Sequence, residues 1–136
     1  MIKHPIGIFI SGRGSNLKSI VNACKKQEFP AEIKVVFSNN KNAPGLSFSK
    51  ENNLEAITLD YHNFKNTEEY EEKIISLLKP YDLELICLAG YMKILSKKLI
   101  DHYPNKIINI HPSLLPEYKG LNTHRRVLEN LSLIHI

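Results

Sequence analysis

Asn109 and His111 are the two side chains of this sequence best suited to acid–base chemistry. They alternate with Ile108 and Ile110, so in a strand both would face the same side, about 6.6 Å apart. An amide can donate a hydrogen bond to a developing oxyanion, and an imidazole exchanges a proton near neutral pH. We therefore predict a catalytic Asn/His pair. The alternative is a buried histidine bonded to a loop carbonyl.

A second cluster, residues 11–16 with the sequence SGRGSN, is typical of a loop that binds an anion. Glycines let the backbone approach an anion, and the first turn of a following helix offers unpaired N–H groups. Leu17 stands where a dinucleotide fingerprint has its third glycine, and the GK[ST] ending of a P-loop is absent. We predict a monophosphate site, with Ser15 and Asn16 adding donors while they cap the helix. The alternative is a tight glycine turn with an ordinary cap.

A third cluster, residues 89–95 with the sequence AGYMKIL, follows an apolar run. Gly90 permits a close turn. The neighbouring apolar side chains could form a wall for a flat heterocycle; they are Tyr91, Met92, Ile94 and Leu95. By composition alone, the simpler interpretation is that they pack a loop onto the core.

Short apolar runs alternate with helix-period segments along the chain, a pattern that predicts an α/β fold. We expect a Rossmann-like, open, mainly parallel sheet with helices on both faces. The predicted strands cover residues 6–11, 33–38, 57–59, 85–89 and 107–111. The predicted helices cover residues 16–27, 44–53, 67–79, 96–102 and 123–130, with Thr67 as an N-cap and Leu99 and Ile100 as buried anchors. Because ligands of such sheets bind beyond the carboxyl ends of the strands, all three clusters are well placed.

The composition fits one ordinary globular domain, with 136 residues, 43% hydrophobic and 24% charged, and a formal net charge of +4. The basic residues are scattered, so we expect no nucleic-acid partner. We expect no membrane partner either, because no run approaches the ~20 apolar residues of a spanning helix. Cys24 and Cys87 resemble small buried hydrophobes, so we predict a cytoplasmic location and no metal cluster. The sequence leaves the oligomeric state open.

Four segments, taken in order, strongly resemble the phosphoribosylglycinamide formyltransferase family: residues 11–17 (SGRGSNL), 88–95 (LAGYMKIL), 109–116 (NIHPSLLP) and 119–124 (KGLNTH). The resemblance extends over nearly all of residues 6–130. The third segment is shared with other folate formyl enzymes, whereas the glycine loop resembles the phosphate site for glycinamide ribonucleotide in this particular family. The resemblance implies transfer of a formyl group from 10-formyltetrahydrofolate to the amine of 5-phosphoribosylglycinamide in purine biosynthesis.

The resemblance also implies a role for individual residues. The substrate phosphate would be held by Gly14, Ser15 and Asn16. The folate pocket would be lined by Met92, Lys93, Ile94, Leu95 and Asn109. Asn109 would bind the formyl group and stabilise the oxyanion, and His111 would donate a proton. The cosubstrate is 10-formyltetrahydrofolate, and no metal is required.

Two departures from the family pattern bear on these expectations. Thr67, with Lys65 nearby, stands where the family often has a basic residue that contacts folate. No Asp follows Asp101, so we expect the family's catalytic Asp, the last strands and the C-terminal helix to lie beyond this chain. Residues 1–130 are thus predicted to be an incomplete formyltransferase domain. Residues 131–136 (LSLIHI) are what a transposase adapter end encodes, and we predict a non-native tail there.

Two alternative functions follow from the same residues. Formyltetrahydrofolate deformylase uses water in place of the amine, although it usually carries an additional N-terminal domain. A substrate-binding fragment without catalytic activity is the second alternative, because the catalytic Asp would be absent.

Overall fold

The computed structural model describes residues 2–110 of the chain. The strands in this part are β1 (His4–Ile10), β2 (Ala31–Ser38), β3 (Ala56–Thr58), β4 (Leu85–Leu88) and β5 (Ile107–Asn109). The α-helices are α1 (Ser15–Cys24), α2 (Pro44–Glu51), α3 (Thr67–Leu78) and α4 (Lys97–His102). The strands form one sheet in the order β3-β2-β1-β4-β5, and every neighbouring pair is parallel. The predicted parallel α/β fold is therefore confirmed.

Helices cover both faces of the sheet, as the continuous apolar runs of the central strands require. On one face, Ile6, Ile8 and Ile10 of β1 form a cluster with apolar residues of α1 and α2. On the other face, Phe9 of β1 and Ile86 of β4 form a cluster with apolar residues of α3 and α4. We call these the first and second core clusters. Each strand alternates between them because successive side chains point to opposite faces.

The direction of winding reverses between β1 and β4, which are adjacent although most of the described chain lies between them in sequence. Ala89 N–H donates to the Phe9 carbonyl at 2.8 Å, so the two strands stay paired up to their carboxyl ends. The loops that follow β1 and β4 consequently open side by side. Such a switch point is where open parallel sheets bind ligands.

Several predicted boundaries are wrong by two or three residues; β2, for example, begins at Ala31 instead of residue 33. β1 begins at His4, because its N–H donates to the Pro30 carbonyl at 2.7 Å, and the strand tolerates Pro5 close to a register irregularity after Ile6. α1 ends at Cys24 instead of residue 27. Lys3 Nζ donates to the carbonyls of Cys24, the last residue of α1, and of Lys26 in the turn that follows, each at 3.0 Å, so a distant side chain stabilises the end of the helix.

Three side chains also differ from expectation. Asn66, not Thr67, caps α3, because its Oδ1 accepts the Glu69 N–H at 2.8 Å. Ile100 is 46% exposed while Leu99 is fully buried, since neighbouring helical residues point about 100° apart and α4 packs through one face only. Cys24 is only partly buried, whereas Cys87 is buried as predicted.

The C-terminal strand is shorter than predicted. β5 ends at Asn109 because β4, beside which it lies, ends at Leu88, the residue paired with Asn109. His111, the predicted helix over residues 123–130 and the predicted tail over residues 131–136 lie outside the described residues.

Within residues 2–110, no helix has the length and apolar character needed to cross a bilayer. In the same range, no three His, Cys, Asp or Glu side chains are grouped as a metal site would need.

Candidate functional site

The glycine loop between β1 and α1 ends in a left-handed glycine. Gly14 is the N-cap of α1 with φ of 75°, and no side chain caps the helix. Its carbonyl accepts the Lys18 N–H at 2.9 Å. The prediction that Ser15 and Asn16 cap α1 is therefore wrong, because both stand inside the first turn. In that turn, N–H groups have no partner within the helix, which is the arrangement that suits an anion.

Gly45, at the start of α2, packs against the glycine loop and forms a hydrogen bond with it. Its N–H donates to the Gly12 carbonyl at 3.1 Å. A Cβ placed on Gly45 would lie 2.5 Å from Ile10 Cδ1 and 3.2 Å from the Gly12 carbonyl oxygen, so a larger residue would push the loop outward. Sequence reasoning assigned Gly45 only to the opening of a helix. The turn-rich segment before Pro44 gives no sign of this contact.

Ser11 joins three strand ends through one hydroxyl. Its Oγ donates to Asn39 Oδ1 at 2.6 Å and accepts the Met92 N–H at 2.8 Å. The Ser11 carbonyl also accepts a hydrogen bond from Asn40 Nδ2 at 3.3 Å. The carboxyl ends of β1, β2 and β4 are thus tied together at the switch point. Neither Ser11 nor Asn39 was predicted as a site residue.

Replacing Ser11 by Ala removes both hydroxyl bonds while leaving the backbone intact. We expect the free energy of unfolding to fall by about 1 kcal/mol, because Met92 N–H is accessible to water once it loses its acceptor. Denaturant unfolding measures this change. The matched control is Ser76→Ala on the exposed side of α3, which should leave stability within about 0.5 kcal/mol of the parent. Equal free energies of unfolding for the two variants would contradict a stabilising role for the Ser11 hydrogen bonds.

A groove of about 570 Å³ opens beside this junction. Its lining includes Asn39, Tyr61, Thr67 and residues 92–96. Met92 is 80% exposed and Ile94 is 87% exposed, so the simple interpretation of this segment as core packing is wrong for these two side chains. Tyr91 and Leu95 do pack against the second core cluster. The segment therefore lines the groove while Tyr91 and Leu95 fix it to the core.

Lys93 lies across one end of the groove. Its Nζ is 3.3 Å from the centroid of the Tyr61 ring, a close cation–π contact. The Tyr61 hydroxyl is 3.0 Å from Thr67 Oγ1. The position where the family often has a basic residue therefore carries a hydroxyl that holds the aromatic ring under Lys93.

Tyr70, which is buried, and Tyr91, which is half-buried, support residues 92–95 from the core side. Burial raises the pKa of Tyr70 to about 12, and burial also raises the pKa of Tyr91. Tyr70 is therefore protonated at neutral pH, and its hydroxyl donates a hydrogen bond to the Leu59 carbonyl at 2.7 Å. Tyr91 packs edge-on against Phe9, with 5.2 Å between ring centroids. These rings act as support for the loop and do not supply an ionised group.

Asn109 ends β5 at the same edge of the sheet. Ile108 and Ile110 contact the first core cluster and Ile107 contacts the second, so Asn109 belongs to the side of Ile107, and it is exposed. It pairs with Leu88, the last residue of β4, from which residues 89–91 lead to the groove wall, the segment over residues 92–96. Asn109, the groove wall and the glycine loop therefore follow three adjacent strands, β5, β4 and β1.

A family model described as formyl transferase matches residues 5–132. The chain belongs to the formyl transferase family. The Escherichia coli (strain K12) phosphoribosylglycinamide formyltransferase is 42% identical over 125 residues, which are 92% of this chain and 59% of that protein. The Haemophilus influenzae protein of the same name is 44% identical over 91% of this chain and 58% of its own length. The chain thus spans somewhat under two thirds of these relatives.

Solved structures agree with this assignment. A phosphoribosylglycinamide formyltransferase from Brucella melitensis superposes with a TM-score of 0.80 at 40% identity, covering 94% of this formyl transferase and 67% of that chain. A trifunctional purine biosynthetic protein from Gallus gallus is 39% identical over 93% of this chain and 13% of its own length. The predicted family resemblance is therefore confirmed.

The structure brings most of the predicted site residues of this formyl transferase to one edge of the sheet. Gly14, Ser15 and Asn16 follow β1, residues 92–95 follow β4, and Asn109 ends β5. His111 lies outside the described residues, and its role stays a prediction. Sequence reasoning missed the residues that hold these loops in place, which are Ser11, Asn39, Gly45 and Glu71. Their partners are 25 to 81 residues away in sequence, so no local pattern could reveal them.

Proposed function

We propose that this formyl transferase moves a formyl group from 10-formyltetrahydrofolate to the amine of 5-phosphoribosylglycinamide in de novo purine biosynthesis. The observation that carries the proposal is the Ser11 junction, where one hydroxyl ties the glycine loop to the wall of the groove. A phosphate-bearing amine and a formyl donor bound at these two places would lie side by side. The names of the bacterial relatives support the same reaction.

The phosphate end of the site is formed by Gly14, Ser15 and Asn16. Main-chain N–H groups of the first turn of α1, together with the partial positive charge at its N-terminus, favour a phosphate dianion. Ser15 is exposed and Asn16 is half-buried, so both side chains can donate to the same group. The contact of Gly45 with Gly12 keeps this loop in place before any ligand arrives.

The folate end is formed by residues 92–95. The exposed side chains of Met92 and Ile94 supply apolar surface for a flat ring, and the groove volume of about 570 Å³ lies within the usual range for small-molecule sites. The formyl donor supplies the one-carbon unit, and this chain's residues orient it. Asn109, beside the end of β4, donates an amide N–H to the formyl oxygen. Binding both reactants in register supplies much of the rate acceleration.

Asn109 stabilises the charge that develops in the reaction, and His111 transfers the proton. The amide of Asn109 stabilises negative charge that develops on the formyl oxygen. His111 donates the proton that the departing folate nitrogen needs and is reprotonated by the proton that the attacking amine releases. Proton count and electron count therefore balance without an oxidant or a reductant.

The phosphate assignment is tested by the double variant Ser15→Ala, Asn16→Ala. We expect KM for glycinamide ribonucleotide to rise about 10–100-fold with kcat retained, because the lost hydrogen bonds are made equally in the ground and transition states. Turnover is followed by folate absorbance in a chain extended by the family's C-terminal segment. Ser19→Ala, one turn further along α1, is the control and should leave KM unchanged. An unchanged KM in the double variant would contradict the assignment of Ser15 and Asn16 to the phosphate site.

The same assay separates the transferase from a deformylase. A transferase consumes the formyl donor only when the ribonucleotide is present. Release of formate at the same rate without ribonucleotide would overturn the proposed acceptor.

A further inference from the structure

Glu71 is a buried carboxylate that none of the assigned roles uses. It lies on α3 with 2% of its surface exposed. Glu71 Oε2 accepts the Ser96 N–H at 2.8 Å, and Oε1 accepts the Leu99 N–H at 3.1 Å. Oε1 also accepts a short hydrogen bond from the Ser96 hydroxyl. One carboxylate thus receives three hydrogen bonds from a single segment.

These three bonds fix one end of the groove wall. Ser96 is the last residue of the lining, and it immediately follows Leu95. The other end is fixed where Met92 N–H donates to Ser11 Oγ. Residues 92–95 are therefore a short bridge between two anchors, from which Met92 and Ile94 are exposed while Lys93 contacts Tyr61 and Leu95 packs on the second core cluster.

The anchor depends on both side-chain oxygens of Glu71 acting as acceptors. All three partners of Glu71 donate, and only a carboxylate offers acceptors on both oxygens. In Glu71→Gln, one oxygen becomes an NH2 group, and that group must face a donor whichever way the amide turns. Either the Ser96 N–H or the Leu99 N–H then loses its acceptor, whereas the Ser96 hydroxyl can turn and accept a hydrogen bond from the amide. A buried donor without a partner is costly, so the segment is expected to move away from α3.

We propose that Glu71 is a positioning residue that holds residues 92–96 in the form that binds the folate cosubstrate. The inference rests on the proposed function for the identity of the ligand. It goes further in assigning the shape of the folate side of the groove to a carboxylate on α3 that does not line the groove.

The chain supplies a matched control in the next residue. Glu72 also reaches from α3 to α4, where its Oε1 is 2.5 Å from Lys98 Nζ, but the pair is exposed. An exposed ion pair contributes little to stability and does not touch the backbone of the bridge. Glu72→Gln changes the same functional group on the same helix without altering the anchor.

The test compares two affinities in Glu71→Gln and Glu72→Gln. Calorimetry measures the dissociation constant of a hydrolysis-resistant 10-formyl folate analogue and, separately, that of glycinamide ribonucleotide. We expect Glu71→Gln to weaken the folate analogue by about tenfold or more, equivalent to about 1.4 kcal/mol or more, and to change the ribonucleotide less than twofold. Glu72→Gln should change neither. Equal weakening of both ligands by Glu71→Gln would mean a general loss of structure and would overturn the inference.

A second measurement keeps the inference testable if Glu71→Gln is poorly folded. Ser96→Ala removes one of the three donors and leaves both backbone bonds, so it should weaken the folate analogue by a smaller factor. Amide hydrogen exchange in the unliganded protein should rise in residues 92–99 and stay unchanged in residues 12–18. No rise in either variant would overturn the inference.

The parent protein separates this inference from the proposed function. If the parent binds the ribonucleotide but not the folate analogue, the proposed formyl donor is wrong, and the inference falls with it. If the parent binds both and Glu71→Gln binds both equally well, only the inference is wrong.

Discussion

Asn109→Ala should lower kcat about 10²–10³-fold with little change in either KM. The expected size is that of removing one oxyanion donor, about 2.7–4 kcal/mol of transition-state stabilisation. The amide acts mainly as charge develops on the formyl oxygen, so the loss belongs to kcat and not to ground-state binding. Steady-state kinetics with both substrates varied measure the change, in a chain that carries the family's C-terminal segment.

The control for this experiment is Asn22→Ala. Asn22 is exposed on α1, away from the strand ends, so its loss should not affect turnover. Denaturant unfolding of Asn109→Ala is measured alongside the kinetics, so that a loss of turnover is separated from a loss of folded protein. A variant with near-normal kcat would show that oxyanion stabilisation comes from elsewhere.

Gly14→Ala should destabilise the protein and impair ribonucleotide binding together. A left-handed backbone costs a residue with a side chain about 1–2 kcal/mol. The added methyl group would also lie 3.3 Å from Leu17 Cβ and 3.4 Å from Gly45 Cα, and crowding of this kind costs a further ~1–3 kcal/mol. Relief requires the loop to move away from α2, which displaces the N–H groups proposed for the phosphate. Denaturant unfolding and calorimetric titration with glycinamide ribonucleotide measure the two effects.

Gly90→Ala is the matched control, because it separates backbone strain from crowding. Gly90 has φ of 77°, nearly the same as Gly14, yet a Cβ placed there meets nothing within 4 Å. Gly90→Ala should therefore lose only the backbone contribution of about 1–2 kcal/mol and leave ribonucleotide affinity unchanged. If both variants bound the ribonucleotide equally well, the fit of the glycine loop against α2 would not matter for the ligand.

Much of the fold could be predicted from the sequence, because local patterns report local physics. The apolar run of β1 requires cover on both faces, and the spacing of Leu17, Ile20 and Val21 marks the buried side of α1. The residues at which helices and strands begin and end were harder to predict from the sequence. α1 ends where Lys3 donates to the carbonyls of Cys24 and of Lys26 just beyond the helix, and these contacts join residues 21 and 23 positions apart.

The residues of the candidate site also fall into two groups, those that could be predicted from the sequence and those that could not. Residues that would touch ligands follow strands and carry recognisable chemistry, so Gly14, Met92 and Asn109 could be selected from sequence alone. Residues that hold the loops in shape carry no such mark. Glu71 looks like one more charge in an acidic helix, and only the structure places its carboxylate against the N–H groups of Ser96 and Leu99.

Because the strands run parallel, the candidate site lies at their carboxyl ends, and all their amino ends lie at the opposite edge of the sheet. The amino ends of the strands gather around His4 and Glu84, which contact each other at the edge opposite Ser11. An affinity tag or a surface linkage attached ahead of β1 would emerge there, with the length of the sheet between it and the groove. Immobilised protein prepared in this way should present its ligand-binding edge to the solvent.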